Sequence, residues 1–190
     1  MFALKRFLIV AGFTCLLLPV FGMGAVAQSP QYELLKAVDS QDIKKATELL
    51  AQGISPDTRR RSDRFPALLI AVEKNNMAMM KLLLDNGANV NVGDPERGET
   101  ALMKRALAGD VNGVQLLLSY GADANRADIG QETALMKAVR ARKFKMVQTL
   151  LEAGADPNVQ DFTGKTALEY AKLSRNRRMV RLLEDAGATY

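Results

Sequence analysis

The 190-residue chain contains no histidine and no tryptophan, and its single cysteine, Cys15, lies inside an N-terminal apolar run. Without imidazole, and without a thiol beyond residue 15, most nucleophile, general-base and transition-metal constellations cannot be built. No disulfide can form either, so stability has to come from packing. What is present is globular in balance: 48% hydrophobic and 25% charged residues. That is too apolar for a disordered chain and too charged for an integral membrane bundle, and the length suits one domain.

At the N-terminus, Lys5 and Arg6 precede an apolar stretch from Phe7 to Val20, followed by Gly22, Gly24 and Ala25-Val26-Ala27. A charged start, an apolar middle and small residues before a polar one describe an export signal, with cleavage expected between Ala27 and Gln28. The competing reading is an uncleaved anchor, because no charge interrupts residues 7 to 27. Pro19, Gly22 and Gly24 break the helix where an anchor would continue. Cys15 lacks the small-residue context of a lipidation site. Loss of residues 1–27 removes two basic residues and no acid, which leaves 24 Lys+Arg against 21 Asp+Glu and lowers the net charge from +5 to +3.

The remainder repeats itself. Gly87-Ala88-Asn89-Val90-Asn91, Gly121-Ala122-Asp123-Ala124-Asn125 and Gly154-Ala155-Asp156-Pro157-Asn158 are copies of one block, with Gly53-Ile54-Ser55-Pro56-Asp57 a degenerate fourth. The glycines at 53, 87, 121, 154 and 187 are spaced by 34, 34, 33 and 33. A second block, Thr100-Ala101-Leu102-Met103, Thr133-Ala134-Leu135-Met136 and Thr166-Ala167-Leu168-Glu169, keeps the same phase, with Pro66-Ala67-Leu68-Leu69 as an earlier relative. Each threonine can cap a short helix that Ala-Leu-Met propagates, ending near Asn75, Gly109, Arg142 or Arg175. A second helix follows, with apolar positions such as Val111, Val114, Leu117 and Leu118, or Phe144, Val147, Leu150 and Leu151, at helical spacing. The glycine then closes it in the left-handed conformation, and Asp/Asn residues lead the chain into the next unit.

These blocks resemble the ankyrin repeat: Thr-Ala-Leu-Met stands where that family usually has Thr-Pro-Leu-His, and Leu-Leu-x-x-Gly-Ala-Asp-x-Asn follows. The resemblance covers about residues 31–190 and implies an all-α repeat solenoid, a helix-turn-helix plus β-hairpin loop in each of about five repeats (31–60, 61–94, 95–128, 129–161 and 162–190). The family's usual histidine is missing, and Met packing is expected to replace its hydrogen bonds. Terminal repeats of a solenoid have one face with no neighbour. Accordingly Lys45 and Glu48 stand where the next copy has Met79 and Leu82, Arg177 replaces Val111 or Phe144, and Glu184 replaces the second leucine, so both ends read as capped.

No catalytic, cofactor-binding or metal-binding residue is expected. Most acids fall in turns where backbone hydrogen bonding explains them, and neither Asp94-Pro95-Glu96 nor Asp123 to Asp128 has the alternating oxygen ligands of a calcium loop. Met77, Met79, Met80, Met103, Met136, Met146 and Met179 mostly fall in the core register rather than forming a copper site or oxidant sink. Charge is distributed by edge. The first hairpin is basic (Arg59-Arg60-Arg61, Arg64), and the later ones carry Asp94, Glu96, Glu99, Asp123, Asp128, Glu132, Asp156 and Asp161. The helix-turn edge is basic late in the chain, at Arg140, Arg142, Lys143 and Lys145 and at Arg175, Arg177, Arg178 and Arg181.

The resemblance further implies a non-catalytic, monomeric module that docks another protein on the concave face of hairpin tips and first helices. By position this is Arg64, Phe65, Ile70, Glu96, Arg97, Glu99, Lys104, Glu132, Lys137, Phe162, Lys165 and Tyr170, with Phe162 and Tyr170 as exposed anchors. Neither a nucleic acid nor a small-molecule substrate is expected: aromatic interleaving and a groove-entering helix are both absent from the pattern. With the export signal, the expectation is a periplasmic protein of the bacterial envelope, an inhibitor or immunity-type protein or a stress-protection accessory. The alternative is an assembly factor held at the inner membrane, facing the periplasm, by an uncleaved N-terminus.

Overall fold

The computed structural model describes residues 29–189. Both sides of the expected cleavage position, Ala27 and Gln28, lie outside the described residues.

Ten helices follow one another among the described residues: α1 (Pro30–Asp39), α2 (Ile43–Ala51), α3 (Ala67–Glu73), α4 (Met77–Asp85), α5 (Ala101–Ala108), α6 (Val111–Ser119), α7 (Ala134–Arg140), α8 (Phe144–Glu152), α9 (Ala167–Leu173) and α10 (Arg177–Asp185). They pair as antiparallel hairpins, odd with even. The odd-numbered helices stack on one another as one layer, and α2 on α4 and α6 on α8 form part of a second. This is the all-α repeat solenoid that the period implies.

The local causes are those of the repeated blocks. Thr100, Thr133 and Thr166 each accept the backbone N–H three residues on (3.4 Å) and so start α5, α7 and α9. Pro66 at the equivalent place starts α3 without a side-chain cap. Asp42, Asn76, Asp110 and Asn176 cap α2, α4, α6 and α10 in the same way, whereas α8 starts at Lys143 without a side-chain cap. The methionine in place of the family's histidine also does more than fill space: Met103 Sδ accepts the Thr100 N–H at 3.4 Å. Short hairpins precede α3, α5 and α7, closed by the bridges Arg59 to Pro66, Gly93 to Thr100 and Ala127 to Thr133.

The asparagine that ends each Gly-Ala-Asp-x-Asn block ties neighbouring repeats together. Asn125 Oδ1 accepts the Asp156 N–H at 2.7 Å while its amide donates to the Gly154 carbonyl at 3.2 Å. Asn91 does the same toward Asp123 and Gly121, and Asn158 toward Thr189 and Gly187. In the degenerate copy Asp57 accepts the Asn89 N–H at 2.8 Å.

The core runs unbroken along the stack, with Leu34, Leu68, Leu102, Leu135 and Leu168 in the first-helix layer and Leu49, Leu83, Leu117, Leu150 and Leu183 in the second. Met79, Met80, Met103, Met136, Met146 and Met179 are buried in it, and Met77 is half-buried. At the ends, Lys45, Glu48, Arg177 and Glu184 are exposed, as caps require, and Lys45 pairs with Glu48.

Candidate protein-binding face

The fourth residue of each first helix from α3 onward, Ile70, Lys104, Lys137 and Tyr170, lines one face of the stack, beside the hairpins. What lies across from it decides how much of that face is free. Asp94, Asp128 and Asp161 open their hairpin loops by accepting backbone N–H groups: Asp94 from Glu96 and Arg97, Asp128 from Glu132, Asp161 from Thr163 and Lys165. Each then uses its second oxygen on the fourth-position side chain. Lys104 reaches Asp94 at 3.0 Å, Lys137 reaches Asp128 at 2.7 Å and the Tyr170 hydroxyl donates to Asp161.

Glutamates link these ties into a chain across three repeats. Glu99 stands between Lys104 (3.5 Å) and Lys137 (2.8 Å), and Glu132 between Lys137 (3.2 Å) and Arg140. Arg140 lies over the Tyr170 ring, 5.3 Å from its centroid. Burial of the Lys137 ammonium opposes its charge, but Asp128 and Glu99 outweigh that and raise its pKa well above the ordinary lysine value. For Asp161, burial pushes upward, and hydrogen bonds from Tyr170, Thr163 and the backbone of Lys165 and Thr163 hold the carboxyl down at about 2. Asp94 is likewise lowered, burial being outweighed by the Arg97 N–H and Lys104.

This corrects part of the expected docking set. Ile70 is 4% exposed and Lys137 7%, so neither projects from the face; the aliphatic side chain is packed into the core with only an edge at the surface, and the lysine is spent on three carboxylates. Tyr170 is half-buried and committed to Asp161, not an exposed anchor. Phe65 is half-buried beneath Arg60, with Lys104 also near its ring, at 5.5 and 5.9 Å. Asp94, Asp128 and Asp161 are buried loop-formers rather than a displayed acidic edge. Glu99, Lys104, Glu132 and Lys165 are partly exposed, the first three inside the ionic chain and Lys165 against Thr163. Arg64, Glu96, Arg97 and Phe162 are exposed as expected.

On the hairpin tips a second large apolar side chain is exposed beside Phe162. Ile129 is 63% exposed and Phe162, its counterpart one repeat on, 81%. Their backbones are held: the Ile129 N–H donates to the Arg97 carbonyl at 2.8 Å and the Phe162 N–H to the Gly130 carbonyl at 2.9 Å. The hairpin tips therefore form a hydrogen-bonded row that presents two large apolar side chains. The 33-residue offset from Phe162 was the available signal for Ile129.

Among the described residues no group of three or more His, Cys, Asp or Glu side chains is arranged to hold a metal ion. No helix of the described residues is long and apolar enough to cross a membrane.

A stack of helix hairpins with short loops and one face of projecting tips defines a repeat scaffold for protein contacts. The chain belongs to the ankyrin-repeat family. The family models for "Ankyrin repeats (3 copies)" and "Ankyrin repeats (many copies)" match residues 34–128 and 117–171. Proteins of this family are in general non-catalytic protein-interaction modules, and its repeats make this chain a protein-binding module. It is 32% identical over 105 residues to the rice (Oryza sativa subsp. japonica) "Probable E3 ubiquitin-protein ligase XBOS31", covering 54% of this chain and 23% of that one. It is 36% identical over 94 residues to "Ankyrin repeat, SAM and basic leucine zipper domain-containing protein 1" of Carollia perspicillata, covering 47% and 19%. With the rice "Potassium channel AKT3" the identity is 36% over 67 residues, covering 35% and 7%. The chain thus spans less than a quarter of the length of these relatives.

Proposed function

We propose that the chain docks a protein partner on its hairpin tips and the adjoining concave face, as a non-catalytic component of the bacterial envelope. The observation that carries the docking reading is the pair Ile129 and Phe162: large apolar side chains, mostly exposed, on backbones fixed by hairpin-to-hairpin hydrogen bonds. Exposing them costs solubility, and holding them rigid reduces the ordering entropy lost on binding. Arg64, Glu96 and Arg97 supply an exposed charged rim on the neighbouring tips. The ionic chain from Asp94 to Tyr170 lies behind the tips and keeps their spacing.

The envelope location is supported by the charged, apolar and small-residue succession of residues 1–27. Inhibition or immunity and stress protection are the roles such a partner-occluding module would serve.

Affinity capture from an envelope extract, with the wild-type protein and the Ile129→Ser/Phe162→Ser variant as baits, tests the docking reading. A saturable partner retained by wild type and lost by the variant is expected; equal retention by both defeats it. Mass determination of the protein recovered from the producing cell tests export. A start at Gln28 is expected, and an intact N-terminus in the membrane fraction would move the chain to the tethered assembly-factor reading.

A further inference from the structure

The tie between hairpin base and first helix is missing in one repeat. Where the later repeats have Asp94 with Lys104, Asp128 with Lys137 and Asp161 with Tyr170, the equivalent residues are Arg60 and Ile70. An arginine cannot be tied by an isoleucine. Arg60 instead turns to the tip of its own hairpin and pairs with Asp63 through two nitrogens. At this end of the concave face a cleft of about 590 Å³ lies between α1 and the hairpin, with Ile70 at its base and Tyr32 and Leu35 contributed by α1. That volume is within the ~300–1,000 Å³ of ordinary ligand clefts.

Its charge is one-sided. Asp39, the acid that lines it, pairs with Lys74 at 3.0 Å. Arg59 and Arg61 on the hairpin wall and Lys36 on the α1 wall have no acidic partner among the described residues. Three uncompensated cations around an apolar floor form a complement to carboxylates flanking an apolar side chain.

We propose that this cleft takes an extended acidic segment of a protein partner, its carboxylates on Arg59, Arg61 and Lys36 and one aliphatic or aromatic side chain over Tyr32, Leu35 and Ile70. The proposal rests on the concave face being the docking face and adds the chemistry of what docks at its N-terminal end. A flat anionic membrane cannot follow the cleft inward. A nucleic-acid backbone gains nothing from its aliphatic base. An extended peptide uses both.

Fluorescence anisotropy with labelled Glu-Asp-Leu-Phe-Asp-Glu as the probe tests this. Saturable, salt-sensitive binding is expected, with the lysine analogue Lys-Lys-Leu-Phe-Lys-Lys silent and the serine analogue Glu-Asp-Ser-Ser-Asp-Glu weak. Arg59→Glu/Arg61→Glu should weaken binding about tenfold or more, the scale of losing charge-assisted contacts. Arg60→Asp/Ile70→Lys rebuilds the tie of the inner repeats; it should lose the probe while melting no lower than wild type, which separates closure of the cleft from unfolding. The proposal is overturned if the acidic probe does not saturate, if both variants still bind it, or if the lysine analogue binds equally. It is overturned as well if oligothymidylate or phosphatidylglycerol vesicles bind more tightly through the same arginines. If a partner is captured through Ile129 and Phe162 while the probe fails, the docking reading stands and only this assignment falls.

Discussion

Arg105 occupies the space that Gly113 leaves empty. In three other repeats the same two positions hold alanine and methionine: Ala71 with Met79, Ala138 with Met146 and Ala171 with Met179. Here the volume is exchanged, with the long side chain moved from the second helix to the first. A Cβ on Gly113 would come within 3.1 Å of Arg105 Cδ and 2.9 Å of Asp110 Cγ. The buried guanidinium is accommodated by Asn75 Oδ1, by the Val72 carbonyl at 2.7 Å and by Asp110 at 3.5 Å. Desolvation lowers its pKa, with Asp110 opposing.

The pair should therefore behave as a unit in a double-mutant cycle. Arg105→Ala alone leaves a cavity and unpaired acceptors, and Gly113→Met alone overpacks; each is expected to cost about 2–4 kcal/mol. Arg105→Ala/Gly113→Met recreates the arrangement of the other repeats and should return to within about 1 kcal/mol of wild type, a large favourable coupling. Urea denaturation of the four proteins measures it; additive losses would show that the exchange of volume is not what holds Arg105 in place.

The ionic chain gives the stability a defined acid limit. Asp161 is held at about 2 in the folded protein, below the ~3.9 of an unfolded aspartate. A depressed folded pKa contributes stability that is complete above the unfolded value and is lost as pH falls through the folded one. Thermal melts should be insensitive to Asp161 above about pH 5 and fall between about pH 4 and pH 2. Asp94, also lowered, adds to the same arm. Tyr170→Phe removes a hydrogen bond that lowers the Asp161 pKa and should flatten that fall, and an unchanged acid slope in this variant would contradict the assignment.

Lys137 is the buried cation of the ionic chain. Its removal leaves Asp128 without a cation, and Glu99 and Glu132 with only Lys104 and Arg140. Lys137→Met should cost about 3–5 kcal/mol, the scale for breaking a buried pair from one side, whereas Lys104→Met, at the half-exposed end, should cost less. Chemical denaturation of both variants decides this. The raised pKa of Lys137 means that its contribution is complete below the unfolded lysine value and is lost only as pH rises through the still higher folded one.

The sequence made legible what recurs at one period, and hid what depends on a neighbour one repeat away. The threonine caps, the closing glycines, the buried methionines and the end caps at Lys45, Glu48, Arg177 and Glu184 could be placed because each follows from its own block. Lys137 could not: it looked like any exposed fourth-position lysine, and its burial needs Glu99, 38 residues earlier in the chain. Ile70 was assigned to the surface by the same register. It is buried because its aliphatic side chain packs into the core cluster. Ile129, an isoleucine in a loop, carries no signal until its counterpart Phe162 is seen on the same row of tips.

The asparagine tie recurs at every junction from Asn91 to Asn158. Asn125 both accepts from Asp156 and donates to Gly154. Asn125→Asp keeps the acceptor and loses the donor, facing a carbonyl with a carboxylate, whereas Asn125→Ala loses both. The tie is exposed to water, so each lost bond should cost only about 0.5–1.5 kcal/mol. The larger effect should be on cooperativity, because in a stack each repeat is stabilised through its neighbours. Hydrogen exchange in Asn125→Ala should show α9 and α10 opening at lower free energy than α3 to α6, where wild type protects both ends of the junction more evenly. Uniform loss of protection along the stack would mean that the coupling runs through the core and not through the asparagines.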